Sequence, residues 1–255
     1  MKKVRLHQFL SRTGKFSGKS DLIESVRNRE ISVGGKVVTD IHFQFDPSKR
    51  EVVWKGRKLN VIENKVYLML NKPAGYLSSR LTPNDVVRRK KSVFELIRMD
   101  ESIKRTLFCV GRLDEDTSGL LIITNDGELG HKITDPKKEI EKTYDVFLDK
   151  IVSEEDIEKL SKGVVIDLEE NGVIQKYKTK SCRITRLQND NTRLQNEKVR
   201  ITITEGKKRE VRRMFESIGR KVVDLKRIAI GKLELGEVGL GKYRLVDKSV
   251  VEKAI

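Results

Sequence analysis

Gly111-Arg112-Leu113-Asp114-Glu115-Asp116-Thr117-Ser118-Gly119 is a short charged stretch that lies between two apolar runs, residues 107–110 and 120–123. Short continuous apolar runs are typical of buried strands. Two such strands hold the loop between them rigidly, and a carboxylate fixed beside an arginine suits chemistry better than solubility. The sequence therefore predicts a functional loop that carries Asp114 and Arg112.

Length and charge set the outer limits of the interpretation. The chain has 255 residues, more than the usual ~150 residues of one domain, so we expect one large domain or a small domain followed by a large one. The net charge is +16, and 36% of the residues in the chain are charged. Phosphate is the commonest counter-charge for such an excess, although a basic composition without a motif does not decide between nucleic-acid binding and a solvated basic surface.

Other classes of protein are disfavoured. Cys109 and Cys182 are too far apart for a paired-cysteine motif and are interpreted as small buried hydrophobes. The three histidines are scattered without ligand spacing, so a zinc site is not expected and metal-free chemistry is the default. No apolar run approaches the length of a membrane span and no signal-peptide core follows Met1, so we expect a cytoplasmic protein that has no contact with membranes.

The first quarter of the chain is its most basic part. Residues 1–63 contain 14 Lys or Arg and 7 Asp or Glu, which leaves +9 of the +16 for the rest. Apolar residues spaced as Leu6, Phe9 and Leu10 predict a first helix, and Ser20 is the expected N-cap of a second. Alternating residues on either side of Gly34-Gly35 predict a tight hairpin.

The pattern of the chain after residue 63 predicts several strands and a few helices. Asn71-Lys72-Pro73-Ala74-Gly75 ends an apolar strand in a turn, and a basic patch follows at residues 88–91. Residues 139–148 alternate as a strand does and contain Lys142-Thr143-Tyr144. Ser153 is the expected start of a further helix, and turns are predicted at residues 171–172 and near 189–191.

A third stretch, Glu205-Gly206-Lys207-Lys208-Arg209-Glu210-Val211-Arg212-Arg213-Met214, leads into a helix. Its Val211, Met214 and Phe215 form an apolar stripe that predicts a buried face. Arg212 stands beside that stripe, so its guanidinium is expected to reach inward toward a carboxylate. The neighbouring basic residues, Arg209 among them, are placed toward solvent or phosphate.

The helix-helix-hairpin at the start resembles the S4 domain, a small RNA-binding module. In that family the second helix and the hairpin carry basic residues toward folded RNA. The resemblance implies that the RNA contacts are made by Arg12, Lys15, Lys19, Arg27, Arg29 and Lys36. A solvated basic face on a packing domain is the plainer alternative.

The ordered motifs resemble the RsuA/RluB/RluE/RluF-type ribosomal RNA pseudouridine synthases, which carry an N-terminal S4 domain. The resemblance implies an α+β chain with an S4 domain at residues 1–62 and, at 63–255, a catalytic domain with a mixed, largely antiparallel sheet. It implies that Asp114 is the catalytic aspartate, that Tyr144 stacks on the target uracil, that Arg212 is the basic partner of Asp114, and that Arg112 contacts substrate RNA. No cofactor is implied; ribosomal RNA or a ribosome assembly intermediate is the partner, and a monomer is expected.

Alternatives remain open at this stage. Asp114 in isolation would more often cap a turn or pair with Arg112, and Tyr144 would more often be a half-buried strand residue. Three neighbouring carboxylates also suggest a metal or glycosidase site, which no other acidic cluster completes. The second function class is a non-catalytic binding or assembly factor for ribosomal RNA. A carboxylate placed among phosphates disfavours that class, because it repels them.

Overall fold

A computed structural model of the chain describes residues 3–170, 172–188 and 197–255. The predicted turn residues Asn171 and 189–191 lie outside these ranges. The chain folds into two compact units. The first unit combines the chain up to Val66 with residues 94–108 and 124–126, and the second contains residues 67–93, 109–123 and 127–255. The predicted domain boundary after residue 62 stays a prediction.

The helices of the described residues are α1 (Leu6–Ser11), α2 (Lys19–Arg27), α3 (Pro83–Val87), α4 (Glu101–Thr106), α5 (Gly127–Thr134), α6 (Glu154–Ser161), α7 (Glu210–Glu216) and α8 (Lys248–Ala254), with 3-10 turns at Val93–Leu96 and Pro136–Lys138. In this part of the chain no helix has the length and apolar character needed to cross a membrane.

The strands of the same residues are β1 (Val4–Arg5), β2 (Ile31–Val33), β3 (Lys36–Val37), β4 (Gln44–Phe45), β5 (Val52–Trp54), β6 (Arg57–Leu59), β7 (Tyr67–Lys72), β8 (Tyr76–Leu77), β9 (Lys91–Ser92), β10 (Phe108–Val110), β11 (Ser118–Thr124), β12 (Lys142–Leu148), β13 (Val165–Glu170), β14 (Val173–Lys178), β15 (Arg183–Leu187), β16 (Glu197–Ile203), β17 (Val222–Ile230), β18 (Leu233–Glu234) and β19 (Tyr243–Leu245).

The first unit contains the predicted helix-helix-hairpin. β2 and β3 pair antiparallel around Gly34 and Gly35, which both take the positive φ that glycine adopts without strain. The small sheet has the order β3-β2-β5-β6. Its core includes Leu6 and Leu10 of α1, Val26 of α2, and strand residues such as Ile31.

Helix α2 begins two residues earlier than predicted, at Lys19, because its N-cap is Gly18 instead of Ser20. The carboxylate of Asp21 explains the shift, because it accepts hydrogen bonds from the backbone N–H and the hydroxyl of Ser17, at 2.9 and 3.1 Å. These bonds close the turn before Ser20 is reached. The later segments of this unit join it through Asn125, whose side chain accepts from the N–H of Val66 and donates to the carbonyl of Asn64.

The second unit is built on one mixed sheet, in which the described strands run in the order β15-β16-β12-β17-β11-β7-β19. β11 and β17 are parallel, whereas β12 pairs antiparallel with both β16 and β17. The predicted mixed sheet is therefore confirmed. All residues of β7 and β11 are buried, while β16 alternates between buried and half-buried positions. The loop at residues 111–117 leads directly into β11, one of these buried strands.

Candidate active site

The charged loop occupies residues 111–117, between β10 and β11. Gly111 takes a positive φ of 71° at its start, and the N–H of Thr117 donates to the carbonyl of Asp114 at 3.1 Å. Leu113 is fixed from the side: its carbonyl accepts from the hydroxyl of Ser78 at 2.8 Å, and its N–H donates to the same oxygen at 3.1 Å. The backbone around Asp114 is therefore held on both sides.

The side chain of Asp114 is half-buried. Among the described residues, none donates a hydrogen bond to its carboxylate or forms an ion pair with it. Arg112, two residues earlier, is exposed. The loop thus combines a fixed backbone with a carboxylate that is available for an incoming group.

Lys72 lies beneath this loop and was not predicted as a site residue. Its ammonium group donates to the carbonyls of Pro73, Asp114, Glu115 and Thr117, at 3.0, 3.0, 3.2 and 2.7 Å. The residue is completely buried at the end of β7. A lysine directly after an apolar strand is the sequence signal that indicates such a role, since an unpaired lysine is costly to bury.

Burial lowers the pKa of Lys72 to about 8, against the opposing attraction of the Asp116, Asp114 and Glu115 carboxylates. The charged lysine thus stands among three negative groups and several carbonyl dipoles. Each carbonyl of the loop that it contacts would lack that donor if Lys72 were removed. The residue therefore fixes both the geometry and the electrostatic environment of the loop.

Arg212 reaches the loop from α7, but its partner differs from the predicted one. Its Nη2 donates to the carbonyl of Asp116 at 2.9 Å, and its Nε lies 3.3 Å from the Asp116 carboxylate. Its Nη1 donates to the carbonyl of Val222 at 3.0 Å. The predicted pair with Asp114 is absent among the described residues, because Asp116 presents both a carbonyl and a carboxylate to the same guanidinium.

Arg209 also differs from its prediction. Its Nη1 lies 3.1 and 3.0 Å from the two carboxylate oxygens of Asp116. The residue has a positive φ of 56° directly before α7, which turns its side chain toward the loop. Asp116 therefore binds two arginines of the helix start and joins the loop to α7.

Tyr144 lies in a row of residues across the sheet. It is the cross-strand partner of Arg227, which in turn is the partner of Gly119 on β11. Directly opposed residues share one face of a sheet. A Cβ atom at Gly119 would stand 2.2 Å from the carbonyl oxygen of Arg227, so this position requires glycine. Tyr144 is thus placed two strands from the end of the charged loop, and its side chain is 8% exposed.

The start of α7 is held by a second group of polar residues. The carboxylate of Glu210 accepts from the N–H of Lys207 at 2.8 Å, and the Tyr177 hydroxyl hydrogen bonds to Glu205. Glu210 is buried, and burial raises its pKa to about 7; the Lys207 N–H opposes this shift and the neighbouring Glu205 adds to it. These residues position the helix turn that carries Arg209 and Arg212.

The candidate S4 contacts lie in the first unit. Lys15, Lys19, Arg27, Arg29 and Lys36 are exposed. Arg12 is half-buried, and its guanidinium lies 3.8 Å from Glu63. Five of the six predicted contacts are therefore accessible side chains, whereas Arg12 shares its charge with an acidic neighbour.

A carboxylate such as that of Asp114 is a group that can act as an acid–base catalyst or as a nucleophile. The described residues contain no group of three or more His, Cys, Asp or Glu side chains placed to hold a metal ion. Cys109 and Cys182 are unpaired, and burial raises the pKa of each thiol to about 12. Both thiols therefore stay protonated and unreactive near neutral pH.

A family model described as RNA pseudouridylate synthase matches residues 66–217, the span that contains the loop, Tyr144 and Arg212. The chain therefore belongs to the RNA pseudouridylate synthase family and is an isomerase. Its relatives place it among the RsuA-type members.

Three similar proteins cover nearly the whole chain. An uncharacterized RNA pseudouridine synthase of Bacillus subtilis is 36% identical over 242 residues, 94% of each chain. The ribosomal small subunit pseudouridine synthase A of Escherichia coli is 32% identical over 235 residues, which cover 90% of this chain and 91% of the relative. A crystal structure of a pseudouridylate synthase is 31% identical, with a TM-score of 0.66 over 99% of this chain and 100% of the other.

Proposed function

We propose that this pseudouridine synthase isomerises a specific uridine in ribosomal RNA and that Asp114 is its catalytic carboxylate. One observation carries the second part: the Asp114 side chain has no hydrogen-bond or ion-pair partner among the described residues, although the backbone around it is fixed by Lys72 and Ser78. The carboxylate oxygens of a turn-capping aspartate would accept hydrogen bonds from nearby backbone N–H groups. Asp114 keeps them available for a substrate.

The chemistry requires a carboxylate and no cofactor. Isomerisation breaks the bond between uracil N1 and ribose C1′, rotates the base while it stays bound, and joins C5 to C1′. The proton on C5 is lost and N1 gains one, so atoms and charge balance. Asp114 near C1′ either forms a transient bond to that carbon or stabilises its positive charge, and a carboxylate then accepts the C5 proton.

Basic side chains support the loop in this reaction. Lys72 supplies a buried positive charge beneath it, and Arg212 holds it through Asp116. Electrostatic groups of this kind act most strongly when they are fixed before the substrate arrives. In the proposed site, Arg212 therefore acts by placing the loop, and Lys72 shares that task from below.

The target base has to leave its stack to reach Asp114. Flipping a nucleotide costs a few kcal/mol, and stacking on an aromatic side chain returns about 1–3 kcal/mol. Tyr144 is the aromatic residue that lies in the same row of the sheet as Gly119, the second residue of the strand that follows the loop. We assign it the stacking role, and we assign the exposed Arg112 to contact with RNA beside the flipped nucleotide.

Two observations support ribosomal RNA as the substrate. A relative that covers 90% of the chain is named as a ribosomal small subunit enzyme. The candidate S4 residues add accessible positive charge for the phosphates of folded RNA. An S4 domain at residues 1–62, a catalytic domain at 63–255 and a monomer that acts on ribosomal RNA or an assembly intermediate are parts of this proposal.

The alternative is a binding or assembly factor that has the fold without the reaction. The charged loop disfavours it. The loop carries three carboxylates, those of Asp114, Glu115 and Asp116, on a surface that such a factor would use to attract phosphate. Among the described residues, only Glu115 and Asp116 have cationic partners at ion-pair distance. An unpaired carboxylate at that position is useful to catalysis and unfavourable to binding.

The test compares pseudouridines in ribosomal RNA from cells with and without the gene, mapped at nucleotide resolution. The proposal predicts that one site or a small set of sites in ribosomal RNA loses the modification and that the wild-type gene restores it. Identical maps, together with a defect in ribosome assembly, would support the alternative. A loss confined to transfer RNA would overturn ribosomal RNA as the substrate.

A further inference from the structure

Residues 82–91, which we name the α3 tip, expose apolar and basic side chains together. Val86 and Val87 are 59% and 80% exposed. Arg88 and Arg89 follow directly and are also exposed. Within the part of the chain that the structure describes, neither arginine makes an ion pair or a side-chain hydrogen bond.

The conformation of the tip is fixed by local hydrogen bonds. The carboxylate of Asp85 accepts from the N–H and the hydroxyl of Thr82, at 2.8 and 2.6 Å, which caps α3. The N–H of Lys90 donates to the carbonyl of Asp85 at 2.9 Å. Burying a valine side chain is worth about 1.5 kcal/mol or more, and this tip forgoes that gain at two adjacent positions in an ordered turn.

The tip is also tied to the charged loop. Lys90 places its ammonium 2.7 Å from both carboxylate oxygens of Glu115, the residue after Asp114. The carbonyl of the same Glu115 accepts from the N–H of Gly75 at 2.7 Å and from Lys72 at 3.2 Å. These contacts fix the position of the tip relative to the backbone of Asp114.

We propose that the α3 tip contacts the RNA strand beside the target uridine, with Val86 and Val87 packed against the base next to the flipped nucleotide. Arg88 and Arg89 bind the phosphates on that strand. The inference rests on the proposed reaction at Asp114, because the tip lies beside the target strand only if the loop that carries Asp114 binds the target uridine.

The chemistry of the partner follows from the pairing of side chains. Flipping leaves a neighbouring base with an unstacked, largely apolar face, and apolar side chains inserted at such a step hold it open. Guanidinium groups that form no ion pair within the described part of the chain complement phosphate. Arg88 and Arg89 are exposed cations that form no ion pair among the described residues, so the phosphates of RNA are the partner that the charges of the tip favour.

The experiment measures release of tritium from RNA labelled at C5 of uridine, since each isomerisation removes the C5 hydrogen. The probes are transcripts of the two ribosomal RNAs, used with enzyme in excess. The first variant is Val86→Ser with Val87→Ser, and its control is Val223→Ser, at a valine of similar exposure on β17. The second is Arg88→Gln with Arg89→Gln, and its control is Lys150→Gln with Lys253→Gln, two exposed lysines.

We expect the double-valine variant to release tritium about 10-fold more slowly at saturating enzyme, with RNA affinity changed less than about 3-fold. The double-arginine variant should bind the transcript about 10-fold more weakly. The slope of log affinity against log salt should become shallower by the amount that corresponds to the loss of about one to two phosphate contacts. Both controls should behave like the wild type. If either tip variant matches its control in both rate and affinity, the part of the proposal that concerns those residues is overturned.

The outcome is separable from the catalytic proposal. Asp114→Asn measured in the same assay tests the reaction, whereas the tip is judged by rates and affinities relative to the wild type. If the wild type bound the transcripts without releasing tritium, protein-free ribosomal RNA would be rejected as the substrate. In that case the RNA contact of the tip would be judged only by the RNA affinity of the variant at Arg88 and Arg89, compared with that of the wild type. Thermal unfolding of each variant confirms that the exposed substitutions leave the fold intact.

Discussion

Arg212 and Asp116 are 96 residues apart in the chain, and the guanidinium of the first hydrogen bonds to the carbonyl of the second at 2.9 Å. The Asp116 carboxylate lies 3.3 Å from the same group and accepts Arg209 as well. This contact joins α7 to the loop that carries Asp114. Both arginines are bound to Asp116, and the Asp114 carboxylate forms no ion pair among the described residues.

Replacing Asp116 with Asn should therefore damage the site without touching Asp114. The buried guanidinium of Arg212 loses its ionic partner, so the free energy of unfolding should fall by about 1–3 kcal/mol. Because the loop is less well placed, the rate of tritium release should fall about 10-fold or more. Chemical denaturation and the single-turnover assay measure the two effects. Glu237→Gln makes the same charge change at an exposed site, and equal behaviour of the two variants would contradict the role of Asp116.

Lys72→Met should be among the most damaging substitutions in the second unit. It removes the donor that four carbonyls share, so we expect a loss of about 2–5 kcal/mol in the free energy of unfolding and a strong loss of activity. Thermal and denaturant unfolding provide the measurement. Lys150→Met, at an exposed lysine, is the matched control. A Lys72→Met protein as stable and active as this control would show that the loop does not depend on the lysine.

Glu210→Gln should change how stability depends on pH. The pKa of Glu210 is raised from 4.5 to about 7 in the folded protein. Between these values the folded state keeps a proton that the unfolded state gives up, so this group makes the free energy of unfolding fall as pH rises from about 5 to 7. Glutamine stays neutral and donates as the protonated acid does. The variant should gain stability relative to the wild type across that window, by an amount on the order of 1–3 kcal/mol. A constant difference from pH 5 to 8 would contradict the assignment.

The basic residues of the first unit should contribute to RNA affinity through salt-dependent contacts. Lys15, Lys19 and Lys36 are exposed there, and replacing all three with Gln should weaken binding and lower the slope of log affinity against log salt by about 2–3. Filter binding at several salt concentrations measures the slope. Lys150, Lys232 and Lys253, exposed in the second unit, supply a triple control of equal charge. Equal slopes for the two triple variants would reject the S4 contacts.

Local patterns predicted the elements that depend on nearby residues. The hairpin at Gly34-Gly35, the strand that carries Tyr144 and the helix that carries Arg212 all follow from periodicity and turn chemistry. The mixed sheet followed from the family resemblance and was confirmed. The exact start of α2 was missed, because Asp21 closes the turn through its side chain and competes with the Ser20 cap.

The contacts that assemble the site join distant residues and were not predictable in the same way. Lys72 meets Thr117 across 45 residues, and Arg212 meets Asp116 across 96. The sequence indicated that Arg212 would reach a carboxylate, but three acidic residues stand close together in the loop. Which of them it binds depends on the turn that presents both the carbonyl and the carboxylate of Asp116. That geometry is a property of the folded loop and has no signature in residue spacing.

Asp114→Asn decides the proposed mechanism when tritium release from C5-labelled ribosomal RNA is followed over a single turnover and RNA affinity is measured in parallel. Asparagine keeps the size of the side chain and removes its charge, so we expect no detectable release while the affinity stays within a few-fold of the wild type. Tritium release at the wild-type rate by this variant would rule out Asp114 as the catalytic carboxylate.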